Sequence, residues 1–412
     1  MKILLVVKSK AIETLGPMYL SSIAKQAGHE CKIVDIDEAF NKAIRYKPDI
    51  IGYSILTGDQ KRFKTLNKSL KQVIPFIAII GGPHGTFFPQ DFIGGEEYYM
   101  VIPGEAEQKW AELLGADFQY SDIDSIPWPD RTDFPKMKIR DFITTRGCPF
   151  SCSYCYNDRW AKMFPEISRV RTRSVVDVIE EINNVNPEFV YFQDSCFGIS
   201  MEWLQEFSHK YRRFVNIPFH VHLRPSQVNK ERVALLADAR CMSVRIALET
   251  ASEKLRGILN RSNTHLNQIH DAVRLLKKWD IKLMTQNMIG IPDGTIEEDL
   301  ETLEFNIKCK PAYGWVSIFC PYPGTELGDR CKKEGWYTGD YSEISDCFFD
   351  TSVLNFTPEY IEQLECLQKI FALCVEVEYI PKVEELRHEN FPKLVHKIMR
   401  SQGDGRLYGG IL

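Results

Sequence analysis

The chain has 412 residues, 44% of them hydrophobic and 26% charged, a composition ordinary for a soluble globular protein and long enough for two or three cores. Its net charge of -5 argues against a nucleic-acid surface, and no apolar run reaches the ~18 residues of a membrane span. Twelve cysteines, in a chain whose start (MKILLVVKSKAIET) reads as a first strand and not a secretion signal, point to free thiols or metal ligands in a reducing, cytoplasmic setting.

Over residues 1–116 strand and helix patterns alternate. KILLVVK is a buried-strand run, and PMYLSSIAKQAGHE has helical spacing with Gly28 as its stop. CKIVDID, DIIGYSIL and FIAIIGGPH are further strands, with a helix from Gln60 to Val73 between the last two. Alternation of this kind predicts a Rossmann-like parallel sheet, whose ligands sit beyond the carboxyl ends of the strands. Ser54, Leu56, Thr57, Gly81, Gly82, Pro83 and His84 stand at those ends. Two glycines let a large ligand reach the backbone, although Gly-Gly-Pro can equally just turn the chain.

Ser54-x-Leu56 and the strand ending Gly81-Gly82-Pro83-His84 resemble the cobalamin-binding domain that precedes many radical S-adenosylmethionine (SAM) enzymes. IPGEAEQ, with Glu105, resembles the element that closes that domain. The resemblance implies cobalamin as a cofactor on these residues. One departure is plain: no Asp-x-His-x-x-Gly motif and no histidine lie between Val7 and Gly28, so the lower cobalt ligand is unassigned. Residues 117–138, rich in Pro and Asp and without a period, read as a linker, and IPWPDRTDF within them resembles the stretch before the cluster loop of the same family.

RDFITT predicts a strand running into TTRGCPFSCSYCYN, where Cys148, Cys152 and Cys155 crowd together. A disulfide set fails on an odd number of thiols, and a structural zinc site lacks a fourth ligand nearby; an iron–sulfur site fits. C-x3-C-x2-C with Tyr154 before the last cysteine resembles the radical SAM signature, which implies a [4Fe-4S] cluster on three thiolates and SAM on the open iron.

FVYFQD, IPFHVHL, SVRIALET, KLMTQNMIG and GWVSIFCPYP, separated by helical patterns, give with the first strand six β/α units over 139–335: a partial TIM-like barrel with active groups at the strand carboxyl ends. Asp194, His220, His222, Arg224, Glu249, Gln286 and Asn287 are the polar residues there. QDSCFG, ALET, MIGIPDGT and PYPGTEL resemble family elements around SAM, which places Tyr154, Asp194, Arg224, Glu249, Gln286, Gly290 and Pro321 on the SAM side. His220 and His222 share one strand face but have no identifiable third ligand for a second metal. Arg169, Arg171 and Arg173 read as an exposed or salt-bridged strand or turn, with Arg171 and Arg224 as candidate carboxylate contacts. The remaining cysteines read as buried thiols, with Cys320 set apart by its place at the sixth strand end.

Residues 336–412 predict a small helical domain covering the open side of the barrel, its first helix starting at Thr357-Pro358. The family resemblance over roughly residues 1–335 implies a methyltransferase that moves a methyl group from methylcobalamin to an unactivated carbon through a 5′-deoxyadenosyl radical. It implies a small-molecule or peptide substrate, an external electron donor such as flavodoxin or ferredoxin, and neither nucleic acid nor membrane as a partner. Radical rearrangement, cyclisation or coupling without methyl transfer, with cobalamin present or the first domain empty, is the first alternative; a non-enzymatic cobalamin or iron–sulfur sensor or carrier is the second.

Overall fold

A computed structural model describes residues 1–93, 98, 100–345 and 347–400. Residues 401–412, the end of the expected helical domain, lie outside the described residues. The first sheet comprises β1 (Lys2–Val7), β2 (Glu30–Asp35), β3 (Ile50–Ser54), β4 (Ile77–Gly81) and β5 (Met100–Val101), in the order β2-β1-β3-β4-β5. All pairs are parallel. Alternate residues of β1 feed two cores: Leu4 and Val6 on one face, Ile3, Leu5 and Val7 on the other. Helices therefore cover both faces. The short β5 has no sequence signal beyond two apolar residues.

The second sheet runs β6 (Ile139–Phe142), β9 (Phe189–Phe192), β10 (Phe219–Leu223), β11 (Cys241–Glu249), β12 (Lys282–Ile289) and β13 (Tyr313–Ile318), neighbours in chain order and all parallel. It is the expected partial barrel. Its outward residues pack on the helices in one core that includes Phe142, Val190, Phe192, Phe219, Val221, Val244 and Ile246. RDFITT divides: β6 ends at Phe142, and β7 (Thr145–Gly147) turns off to pair antiparallel with β8 (Val170–Thr172). This two-stranded ribbon carries the arginine alternation.

The linker is not loose. Asp130 takes Lys25 at 2.6 Å and the Ser21 hydroxyl at 2.6 Å. Arg131 binds Glu13 and Glu181, and its guanidinium carbon lies 4.7 Å from the centre of the Phe142 ring. Arg131 of the linker and Arg146 of β7, which pairs with Glu107 at 2.6 Å, lock the two sheets together.

The C-terminal region corrects one expectation. Thr357 caps the helix Pro358–Val377 by accepting from Tyr360 N, as predicted, but that helix lies on the outer, helix-bearing face of β13 and shares a core with Ile289, Val316 and Ile318. It does not span the open side, because its apolar face matches the outward residues of β12 and β13. The segment between Trp336 and Phe356 does reach inward. Phe348 and Phe349 pack on Trp315, and Tyr341 reaches the first domain, donating to Asp91.

Candidate functional site

The cysteine loop begins with a glycine for a steric reason. Gly147 has φ +87°, and a Cβ there would stand 1.9 Å from Arg169 O. Any side chain would break the ribbon that launches the loop. Arg169 then holds the loop from the partner strand: Nε donates to Cys148 O at 2.9 Å and Nη2 to Phe150 O at 2.6 Å. From the other side the turn after β11 grips it. Ser153 Oγ donates to Ile258 O at 2.8 Å, and Asn260 Nδ2 donates to Ser151 O at 2.6 Å.

Burial raises the Cys148 thiol pKa and pushes Cys155 up to about 11. A metal centre that takes thiolates therefore releases protons on binding. Among the described residues no three His, Cys, Asp or Glu side chains form the ligand set of a single ion. The three loop thiols act on one another at longer range, Cys152 and then Cys148 both raising Cys155. A four-iron cluster takes one thiolate per iron and so spaces its ligands more widely than a lone ion does, which suits this loop.

Beside the loop, Tyr154 OH donates to Glu249 Oε1 at 2.7 Å. Glu249 is 2% exposed, and its Oε2 has no partner. Its backbone is held at φ +67°, a conformation uncommon for a non-glycine residue and costly outside functional sites. Burial raises the Glu249 carboxyl pKa, while Arg261 and Arg224 oppose that shift. Arg261 donates to Cys152 Sγ at 3.7 Å and to Ala247 O. No motif marks Arg261, which lies in a turn between two helices. Arg224 lies 4.0 Å over the Phe150 ring. A buried acid with a free oxygen, two cations and three thiols in one place form a donor set suited to SAM on an open iron.

The other SAM-side residues separate. Gln286 is half-buried on the inner face of β12, in register with Ala247 and Trp315. Asn287 faces the helices and donates to Trp315 O at 2.8 Å. Asp194 is fully buried and occupied by Thr144, whose hydroxyl donates at 2.6 Å; burial pushes its pKa up to about 6. It braces the strand that leads into the loop. Gly290 N donates to Asp299, a buried carboxyl that also accepts from Tyr360 at 2.6 Å. Pro321 is buried beside Tyr322, whose ring lies 5.4 Å from Tyr156, itself stacked on Phe87 of the first domain at 4.2 Å.

A cavity of about 500 Å³ opens between the two sheets. Ser54, Gly81, Gly82, Pro83 and Glu105 line it from the first domain. Gly147, Asn157, Gln193 and Ser195 line it from the barrel. A Cβ on Gly81 would meet nothing nearer than 3.9 Å, so it would project into this space. Gly82, at φ +84°, has no room: its Cβ would come within 2.6 Å of Ile55 N. Such a backbone-rimmed space suits a large planar ligand such as cobalamin. Glu105 closes it by accepting from Arg171 and pairing with Arg146 at 3.0 Å. Burial pushes the Glu105 carboxyl up, but the two arginines outweigh it and hold it below its ordinary range.

Leu56, Thr57 and His84 do not join that lining. Leu56 is exposed, while Thr57 and His84 pair with each other at 3.1 Å, and His84 Nε2 meets Asp91 at 3.1 Å. Burial lowers the His84 pKa. Cys320 sits in the same aromatic layer as Tyr322, and burial pushes its thiol up to about 12.

The radical SAM superfamily model matches residues 142–305, and the B12 binding domain model matches residues 1–114. An uncharacterized methyltransferase of Pyrococcus horikoshii is 27% identical over 389 residues, covering 79% of this chain and 82% of its own. An anaerobic magnesium-protoporphyrin IX monomethyl ester cyclase of Rubrivivax gelatinosus is 24% identical, covering 82% of this chain and 67% of its own. The radical SAM methyltransferase TsrM of Kitasatospora setae, solved with cobalamin and a [4Fe-4S] cluster, shares the fold at a TM-score of 0.65 and 16% identity, covering 81% of this chain and 75% of that one. Among the described residues no helix is long and apolar enough to cross a membrane. Residues 142–305 thus match a radical SAM domain and residues 1–114 a B12 binding domain, the pairing of an enzyme whose cofactors are an iron–sulfur cluster, SAM and cobalamin.

Proposed function

We propose that the protein is a methyltransferase that places a methyl group on an unactivated carbon of a small-molecule or peptide substrate. The observation that carries this reading is the shared cavity: the glycine edge of the first sheet and the residues flanking the cysteine loop line one space. The bound cofactors supply a 5′-deoxyadenosyl radical from SAM and a methyl group carried on cobalamin.

The chain's own residues then have distinct tasks. Cys148, Cys152 and Cys155 would hold the iron–sulfur cluster, which would supply the electron for SAM cleavage. Tyr154 fixes the Glu249 carboxyl, whose unpartnered Oε2 would be available to accept from SAM. Arg261 sets a positive charge 3.7 Å from the Cys152 sulfur. Arg224 and Gln286 complete the wall on that side. Ser54, Gly81, Gly82 and Pro83 admit the flat cofactor against backbone, and Gln193 and Asn157 face it from the barrel. The Phe87–Tyr156–Tyr322 ring stack keeps water out between the domains. A flavodoxin or ferredoxin as electron donor and a cytoplasmic location belong to the same reading.

The test is anaerobic turnover of the loaded enzyme with methyl-labelled SAM and candidate substrates. Labelled product together with S-adenosylhomocysteine and 5′-deoxyadenosine is expected. Turnover that yields deoxyadenosine without homocysteine product would sink methyl transfer. It would favour a second reading, radical cyclisation or rearrangement, which the cyclase relative supports.

A further inference from the structure

Inside the barrel, below Glu249, a polar cluster serves neither the cysteine loop nor the cavity. Phe219, Val221 and Leu223 of β10 face the helices, so His220 and His222 face inward. On β11, Val244 and Ile246 face the helices, so Ser243 and Arg245 face inward. Register sets His220 beside Ser243 and His222 beside Arg245. His220 Nδ1 lies 2.7 Å from Ser243 Oγ, and Tyr191 OH lies 2.9 Å from His222 Nε2. The Tyr191 ring stacks on His220 with centroids 4.7 Å apart. Burial is the main cause holding both imidazoles at a pKa of about 3, with the Arg245 charge adding to it, so both are neutral at pH 7.

Two atoms of this cluster lack partners. His220 is 5% exposed with no partner on Nε2, and Arg245 Nε is buried with none either. In the tautomer where the Ser243 hydroxyl donates to Nδ1, the His220 proton sits on Nε2 and is a free donor. Among the described residues no carboxylate pairs with Arg245; its guanidinium carbon stands 5.9 Å from the centre of the Trp315 ring. Arg245 is half-buried, with Nε cut off from water and no counter-charge beside it, and a ligand that brings an acid would supply one.

We infer that the lumen binds a substrate bearing a carboxylate, which accepts from Arg245 and from His220 Nε2. One cation and one neutral donor match a monoanion; a phosphate dianion would keep an unmatched charge. Trp315, with Phe348 at 5.8 Å and Phe349 at 5.7 Å, offers an aromatic wall for the body of the molecule. Arg245 precedes Glu249 by four residues on one strand, about 13 Å at strand rise, so a substrate held by its acid end extends toward the cysteine loop. Naming this as the substrate's place rests on the methyltransferase reading; the anion site itself does not.

The test is calorimetric titration of the cluster- and cobalamin-loaded protein, with SAM present, against benzoate, benzamide and phenyl phosphate. Benzoate is expected to bind at least tenfold more tightly than benzamide. Arg245→Gln is expected to erase that difference and Arg245→Lys to keep part of it, with iron and cobalt contents unchanged. Equal binding of benzoate and benzamide, an undiminished preference in Arg245→Gln, or a preference for phenyl phosphate overturns the inference. Should Arg245→Gln fail to load, the wild-type pair and Arg245→Lys still decide. Benzoate binding needs no turnover. A protein that binds benzoate selectively yet forms no S-adenosylhomocysteine overturns methyl transfer alone; methyl transfer without benzoate selectivity overturns the carboxylate site alone.

Discussion

At the cysteine loop the protein works with side chains in fixed partnership. Tyr154 is bound to Glu249, Arg261 to Cys152, and Arg169 to two loop carbonyls. At the edge of the first sheet it works with backbone and empty room, where Gly81 faces the cavity and Gly82 fills a place no side chain could. The contrast follows the ligands. A small charged molecule is held by a few directed groups, whereas a broad flat one needs surface taken away. Damage at the two places should therefore differ in kind.

The sharpest break should come from Cys148→Ala, Cys152→Ala or Cys155→Ala. Each is expected to abolish 5′-deoxyadenosine formation and lower iron per chain, while cobalt per chain stays at the wild-type level. Cobalt falling together with iron would show that the two regions do not load separately. Gly82→Val is the mirror experiment. Its forced contact with Ile55 backbone should cost about 2–3 kcal/mol in a chemical denaturation curve and lower the cobalt-to-iron ratio, with deoxyadenosine formation in the presence of SAM retained.

A smaller effect is expected from Glu249→Gln and Arg261→Met, each raising the SAM Kd about tenfold, or ~1.4 kcal/mol, in equilibrium binding. Cobalamin affinity should not move. The smallest concerns Asp299, whose carboxyl burial pushes up to about 7 from 3.8. Between those values the folded chain holds a proton that the unfolded chain has released, so this group's stabilisation is lost as pH rises through about 7. Asp299→Asn should flatten that part of the Tm–pH profile; an unchanged profile would remove Asp299 from the account.

The same contrast explains what could be read in advance. The strands were legible because buried parallel strands are continuous Val, Ile and Leu runs, and the thiols because their spacing is local. The cavity rim at Ser54, Gly81, Gly82 and Pro83 was legible as strand-end residues. That Thr57 and His84 turn away to each other was not, since the ring packed on His84, Tyr341, comes from a distant segment and nothing local marks Asp91 as its acceptor. Arg261 and Asp299 carry no motif; each acquires meaning only when a turn meets the cysteine loop or a helix meets Gly290. The β7–β8 ribbon escaped because Thr145–Gly147 looked like the end of the preceding strand, although the alternating arginines already marked its partner.

The hydroxyl of Tyr341 joins Asp91 across 250 positions of chain. On a ribosome adding roughly 5–20 residues per second, that separation is about 10–50 s of synthesis. Throughout that interval the first sheet has been made and the bond that straps it to the far end of the barrel has not. The nascent B12 binding domain therefore emerges without this strap and gains it only when translation has passed the sixth barrel strand.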